Sequence, residues 1–149
     1  MWLSASVRHA GWAPALVVLL HFLVFRPLST HALVRSLNSY EHFLGGMAFA
    51  FFFSRSLAIP EARALGALSP FGRLLLTLTT VCTAALAWEF IEWITDRLGW
   101  TYAQLSLTDT LVDLGVGVLG GVVFLLLAGL FAVSGMRGAP NGPSEPAPQ

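Results

Sequence analysis

The sequence predicts an all-α fold: an integral-membrane four-helix bundle with a short interfacial helix between its second and third spans. Two observations lead there. Of 149 residues, 56% are apolar or aromatic and only 11% are charged. The apolar residues also fall into four runs, at 11–28, 40–59, 72–94 and 109–133. A soluble domain of this size would leave too much of that surface in water, whereas ~20 apolar residues in a helix cross ~30 Å of hydrocarbon. Period-two alternation is absent, which argues against a barrel, so the backbone groups of each run must be satisfied within a helix.

The first run is marginal at its Arg26-Pro27 end. With Arg8 before it and Thr30-His31-Ala32 after it, it also has the outline of a cleavable signal peptide; an uncleaved first helix is the preferred reading. Asn38 and Glu41 have capping-box spacing ahead of the second run. Pro60 to Gly66 reads as the interfacial helix. Ser69 is an N-cap for the third run, with Pro70 at the first helical position, where a missing N–H costs nothing. Gly99 suits a helix stop, and Ser106 with Asp109 repeats the capping-box spacing before the fourth run. Residues 1–135 form one transmembrane domain without internal repeats, and residues 136–149, rich in Pro and Gly, form a disordered tail.

Net charge is zero, so no basic field points to nucleic acid; the partner is the lipid bilayer. The single Cys82 permits no intramolecular disulfide and reads as a buried apolar filler. Arg8, Arg55, Arg63, Arg73 and Arg137 share the side of both termini, against Arg26, Arg35 and Arg97 on the other. That bias favours cytoplasmic termini in a bacterial inner membrane. Tyr40, Trp88, Trp93, Trp100 and Tyr102 would form the aromatic belt of the outer interface. Phe51, Phe52 and Phe53 serve as packing or lipid-facing surface.

Polar residues converge. Six of the eight acids, Glu41, Glu89, Glu92, Asp96, Asp109 and Asp113, belong to the start of the second helix, the end of the third and the start of the fourth. Antiparallel connection places these at one membrane face, with His42. Glu89, Glu92 and Asp96 share a stripe at i, i+3, i+7. Asp109 and Asp113 share a face that Gly117 and Gly121 continue as a GxxxG, where helices approach closely. Gly45 and Gly46 offer the same after His42.

Each residue also has a bland reading. Glu41 and Asp109 serve equally as caps, Asp96 beside Arg97 as solvated surface, and His21 as an isolated core histidine. Acids crowded inside a bilayer resist simultaneous ionisation. Protons, a cation, or Arg35 and Arg97 folding over the site would offset that. The candidate pocket is therefore His42, Glu89, Glu92, Asp109 and Asp113, with His42, Glu89, Glu92 and Asp113 as the ligand set for any metal. No organic cofactor is expected; a divalent cation is the one addition these residues admit.

The set His42-Phe43-Leu44-Gly45-Gly46, Trp88-Glu89-Phe90-Ile91-Glu92-Trp93 and Asp109-Thr110-Leu111-Val112-Asp113 resembles the YjdF-like membrane proteins and, more distantly, the VanZ-like group, over residues 38–125. The resemblance implies a small inner-membrane helix bundle; VanZ-like proteins are associated with glycopeptide resistance. Glu92 and Asp113 stand where VanZ-like members commonly carry amides, which favours the YjdF-like branch.

Three functions compete. The leading one is a non-enzymatic envelope protein whose acidic pocket, near the outer face, binds a cation or cationic headgroup. The second is an intramembrane metal-dependent hydrolase or transferase acting on a lipid or lipid-linked envelope precursor. The third is an ion- or proton-coupled transporter, homo-oligomeric through its GxxxG face. Haem ligation by His21 and His42 is disfavoured by their different depths.

Overall fold

The computed structural model describes residues 2–28, 34–59, 62 and 66–137. Its regular elements are helices: α1 (Trp2–Ala10), α2 (Trp12–Leu28), α3 (Val34–Ser56), α4 (Pro70–Arg97) and α5 (Leu107–Arg137). Two of them, α4 and α5, are long and apolar enough to cross a membrane, and only 17% and 22% of their most apolar stretches is buried within the protein. The rest is covered by large apolar side chains such as Leu75, Phe90, Leu111 and Leu126, which point outward. The interior is built of small residues instead, among them Ala5, Ala10, Ala13, Ala48, Ala50 and Val81. Large outside and small inside is the pattern expected where lipid, not water, is the surrounding solvent.

Four uniform spans are not what the chain builds. α1 and α2 count as a third span only if joined across a 58° bend. The bend follows from sequence, since Pro14 has no N–H to give the Ala10 carbonyl at the turn where α1 becomes α2. α2 then opens into a π-helical turn at His21–Phe25. α3, at 23 residues, is about 34 Å long by helical rise but falls short in apolarity. Its Glu41 and His42 are buried against other helices, so it can pass through lipid without presenting them to it.

Other boundaries follow their local chemistry. Ser69 accepts from the Gly72 N–H at 3.0 Å, with Pro70 at the first position of α4. Gly99 takes φ +72° just after α4, and the Asp109 N–H binds the Ser106 hydroxyl at 3.2 Å. Asn38 and Glu41 do not cap α3, which begins a full turn earlier at Val34; their side chains are used elsewhere. The segment 60–66 lies largely outside the described residues, as does 138–149. Cys82 is exposed rather than buried, because α4 packs through a different stripe, carrying Thr77, Val81, Glu89 and Glu92.

α3 lies between the other helices and packs most intimately on α5. A Cβ on Gly46 would stand 1.8 Å from the Gly117 carbonyl oxygen, and one on Gly120 would stand 2.1 Å from that of Phe43. Only hydrogen fits at these positions, so the two backbones touch. Gly121 turns to Val81 of α4, at 2.8 Å from a built Cβ. The Gly117/Gly121 face is thus filled from within the chain. Gly45 faces α2 instead, where a Cβ would stand 4.0 Å from Val17 Cγ1. The phenylalanine run packs: Phe51 sits between Trp12 (5.3 Å) and Phe124 (6.0 Å).

Candidate metal centre

The backbone contact between α3 and α5 brings His42 opposite Asp113, while the buried stripe of α4 delivers Glu89 and Glu92. His42 Nδ1 is 3.6 Å from Glu89 Oε1. His42 Nε2 is 3.9 Å from both Glu92 Oε1 and Asp113 Oδ2. All four side chains are at least nine-tenths buried. Three helices therefore aim an imidazole and three carboxylates at one small volume. Asp109, one turn before Asp113, is buried as well.

Two of these atoms, His42 Nε2 and Glu89 Oε1, are buried with no hydrogen-bond partner. Leaving such groups unsatisfied costs about 1–3 kcal/mol each, and clustering like charges adds to it. Two ligand atoms that each sit ~2.1 Å from a cation stand ~3–4 Å from one another. Glu92 Oε1 and Asp113 Oδ2 approach the same nitrogen, Nε2, at 3.9 Å, within that range, whereas Glu89 Oε1 is nearer the other nitrogen, Nδ1, and one ion takes only one of the two. His42, Glu89 and Glu92 offer one ligand atom each within 4.8 Å of one another. The chain thus contains a buried cluster able to coordinate a divalent cation, with Asp113 beside it.

Neutral donors hold the carboxylates in place. The Trp88 indole N–H donates to Glu92 Oε1 at 2.8 Å, the Asn38 amide to Asp113 Oδ2 at 2.6 Å, and the Gln104 amide to Glu89 Oε2 at 3.4 Å. Such outer partners orient metal ligands. Gln104 is in turn held by Asp96, which accepts from the backbone N–H groups of Ala103 and Gln104 at 2.9 Å each and from the Thr101 hydroxyl. Asp96 is therefore the anchor of the α4–α5 loop and not solvated surface.

Beside the cluster lies a second pair. His21 Nδ1 is 2.6 Å from Glu41 Oε1, and the His21 ring meets Trp88 edge-on at 5.6 Å. His21 is thus no isolated core histidine, and Trp88 touches both this pair and the cluster. Tyr40, Trp93, Trp100 and Tyr102 at the same end are exposed. Arg97 does not fold over the acids; its guanidinium lies 5.7 Å from the Trp93 ring centroid. The side chain of Arg35 is outside the described residues.

Fold and site together define a small helical membrane protein with a cluster of histidine and carboxylates, buried between its helices, that is able to coordinate a divalent cation. The chain belongs to the family described as predicted membrane protein (DUF2238), whose model matches residues 36–133. That span holds all five pocket residues but neither His21 nor the rest of α1 and α2. No curated protein and no solved structure matches the chain.

Proposed function

We propose that the chain is an intramembrane metal-dependent hydrolase or transferase, with His42, Glu89, Glu92 and Asp113 holding one divalent ion. The observation that carries this reading is His42. It is a buried imidazole with an unsatisfied nitrogen, ringed at 3.6–3.9 Å by three carboxylates. A closed packing network would have drawn these groups into hydrogen bonds. A cationic headgroup is a poorer occupant, because an alkylated ammonium needs more room than these separations leave.

Carboxylate-rich ligation with one imidazole suits Zn²⁺, Mn²⁺ or Mg²⁺. Such an ion lowers the pKa of a bound water and polarises an ester or phosphoryl oxygen. In hydrolysis the water oxygen would bond to the ester carbon or the phosphorus while that atom's bond to the leaving oxygen breaks. One of these acids, left out of the ion's ligands, would serve as general base, taking the water's proton and returning it to the leaving oxygen. In the same proposal α3 and the bent α1–α2 pair both cross the bilayer, giving four crossings with both termini on one side. The arginine bias favours the cytoplasm of a bacterial inner membrane for that side. The likeness to YjdF-like and VanZ-like proteins is part of this reading.

The test is metal content in lipid nanodiscs, wild type beside a Glu89→Gln/Asp113→Asn double variant. One divalent ion per chain, lost in the variant, is expected. A wild-type protein that carries none and gains none on addition of Zn²⁺, Mn²⁺ or Mg²⁺ would overturn the reading.

A further inference from the structure

We infer that the substrate is an anionic glycerophospholipid, seated in a groove between α4 and α5 with its phosphate on Arg97 and its acyl esters beside Glu89; this rests on the metal-dependent reading above. The groove runs between the two helices that are long and apolar enough to cross a membrane. Phe90 and Leu107 on its walls are exposed, so it opens to lipid. Its volume is about 480 Å³, within the ~300–1,000 Å³ of small-molecule sites. Polarity changes along it. Leu86, Phe90 and Leu114 line the deeper end, while Arg97, Gln104 and Ser106 line the end at the α4–α5 loop. A phospholipid lying along the bilayer normal has the same order, from chain to headgroup.

Arg97 supplies the cation. Its guanidinium stands 5.7 Å from the centroid of the Trp93 ring, and no acid among the described residues forms an ion pair with it. Trp93 is one turn, ~6 Å of helix, from Glu89. A phosphate on Arg97 therefore leaves the glycerol and its acyl esters, a few bonds further on, at the height of Glu89. That residue serves both sides. Its Oε1 is 3.6 Å from His42 Nδ1 inside the cluster, while its Oε2 and its backbone carbonyl meet the Gln104 amide at 3.4 and 3.3 Å. Both bonds exceed the ~2.7–3.2 Å of a well-formed one, so the amide can turn to an ester carbonyl at little cost. Hydrolysis of that ester adds the water's hydroxyl to the acyl carbon and its proton to the glycerol oxygen, giving a fatty acid and a lysophospholipid.

Native mass spectrometry of the protein, taken from nanodiscs of phosphatidylglycerol and phosphatidylcholine, tests the seat. One phosphatidylglycerol per chain should survive the detergent exchange that strips the rest. Arg97→Gln should lower its occupancy roughly tenfold, the loss of one charge-assisted contact, with wild-type metal content. Thr110→Phe, which fills the groove, should abolish it. Arg26→Gln removes an exposed arginine outside the groove and should keep the lipid. Adding Zn²⁺, Mn²⁺ or Mg²⁺ should then release fatty acid and lysophosphatidylglycerol. A wild type that retains no lipid, or retention that survives both groove substitutions, would overturn the seat. Lipid and metal both bound, with no lysolipid formed, would overturn the substrate assignment alone. Retention in a protein that binds no metal would remove that assignment through the metal reading, leaving only a lipid-binding groove.

Discussion

The Asn38 amide donates to the Asp113 carboxylate at 2.6 Å, joining α3 to α5 across 75 positions of sequence. The bond leaves His42 Nε2 3.9 Å from the oxygen that Asn38 holds. Removing it should leave the helices packed, since Gly46 and Gly117 still touch, but should loosen the hold on the carboxylate. Asn38→Ala is expected to weaken divalent-ion binding by roughly 10–100-fold, the usual effect of losing an outer partner of a ligand. Competition against a chelating dye measures this, and unchanged affinity would remove Asn38 from the site.

Gly46→Ala should destabilise the fold, because its methyl group would collide with the Gly117 carbonyl oxygen. Overpacking of this kind costs ~1–3 kcal/mol. Gly115→Ala is the control, as nothing lies within 4 Å of a Cβ there. Thermal unfolding in mild detergent should show a lower Tm for the first and none for the second.

Asp96→Ala removes the acceptor for two backbone N–H groups and one hydroxyl. Hydrogen bonds to a charged group are each worth ~1.5–3 kcal/mol, so residues 98–106 should exchange amide hydrogens faster while the α3–α5 contact keeps its protection. Gln104 would then lose its hold near Glu89, and metal affinity should fall less than in Asn38→Ala. Unaltered exchange across the loop would refute the anchor.

Protons and metal compete for the same imidazole and carboxylates, so loading should release protons and affinity should fall as pH falls. Titration calorimetry in two buffers of different ionisation enthalpy reads the proton count directly. A count of zero at every pH, with metal still bound, would mean that the ion sits elsewhere.

Legibility in the sequence followed the range of the interaction. Ser69-Pro70, Gly99 and Ser106 act within one helical turn, and the structure uses them as their spacing suggests. The i, i+3 and i, i+4 acids were also readable, because one helix alone fixes their common face. What crosses between helices was not. His21 meets Glu41 only because α2 lies against α3 at one particular height, and no spacing encodes that height. Gln104 sits in a loop whose path Asp96 decides. Trp88 is the exception: its indole reaches Glu92 at i, i+4, a pairing available from sequence but set aside for the commoner role of tryptophan at a membrane interface.

The enclosure of the cluster by α3, α4 and α5 has a consequence of its own. The four residues proposed to hold an ion all fall inside the stretch 36–133 that the family model matches, whereas His21, which pairs with Glu41 at 2.6 Å, falls before it. The proposed site is therefore self-contained in three helices. Replacing the first 28 residues should change the surroundings of Glu41 and leave the separations within the cluster as they are.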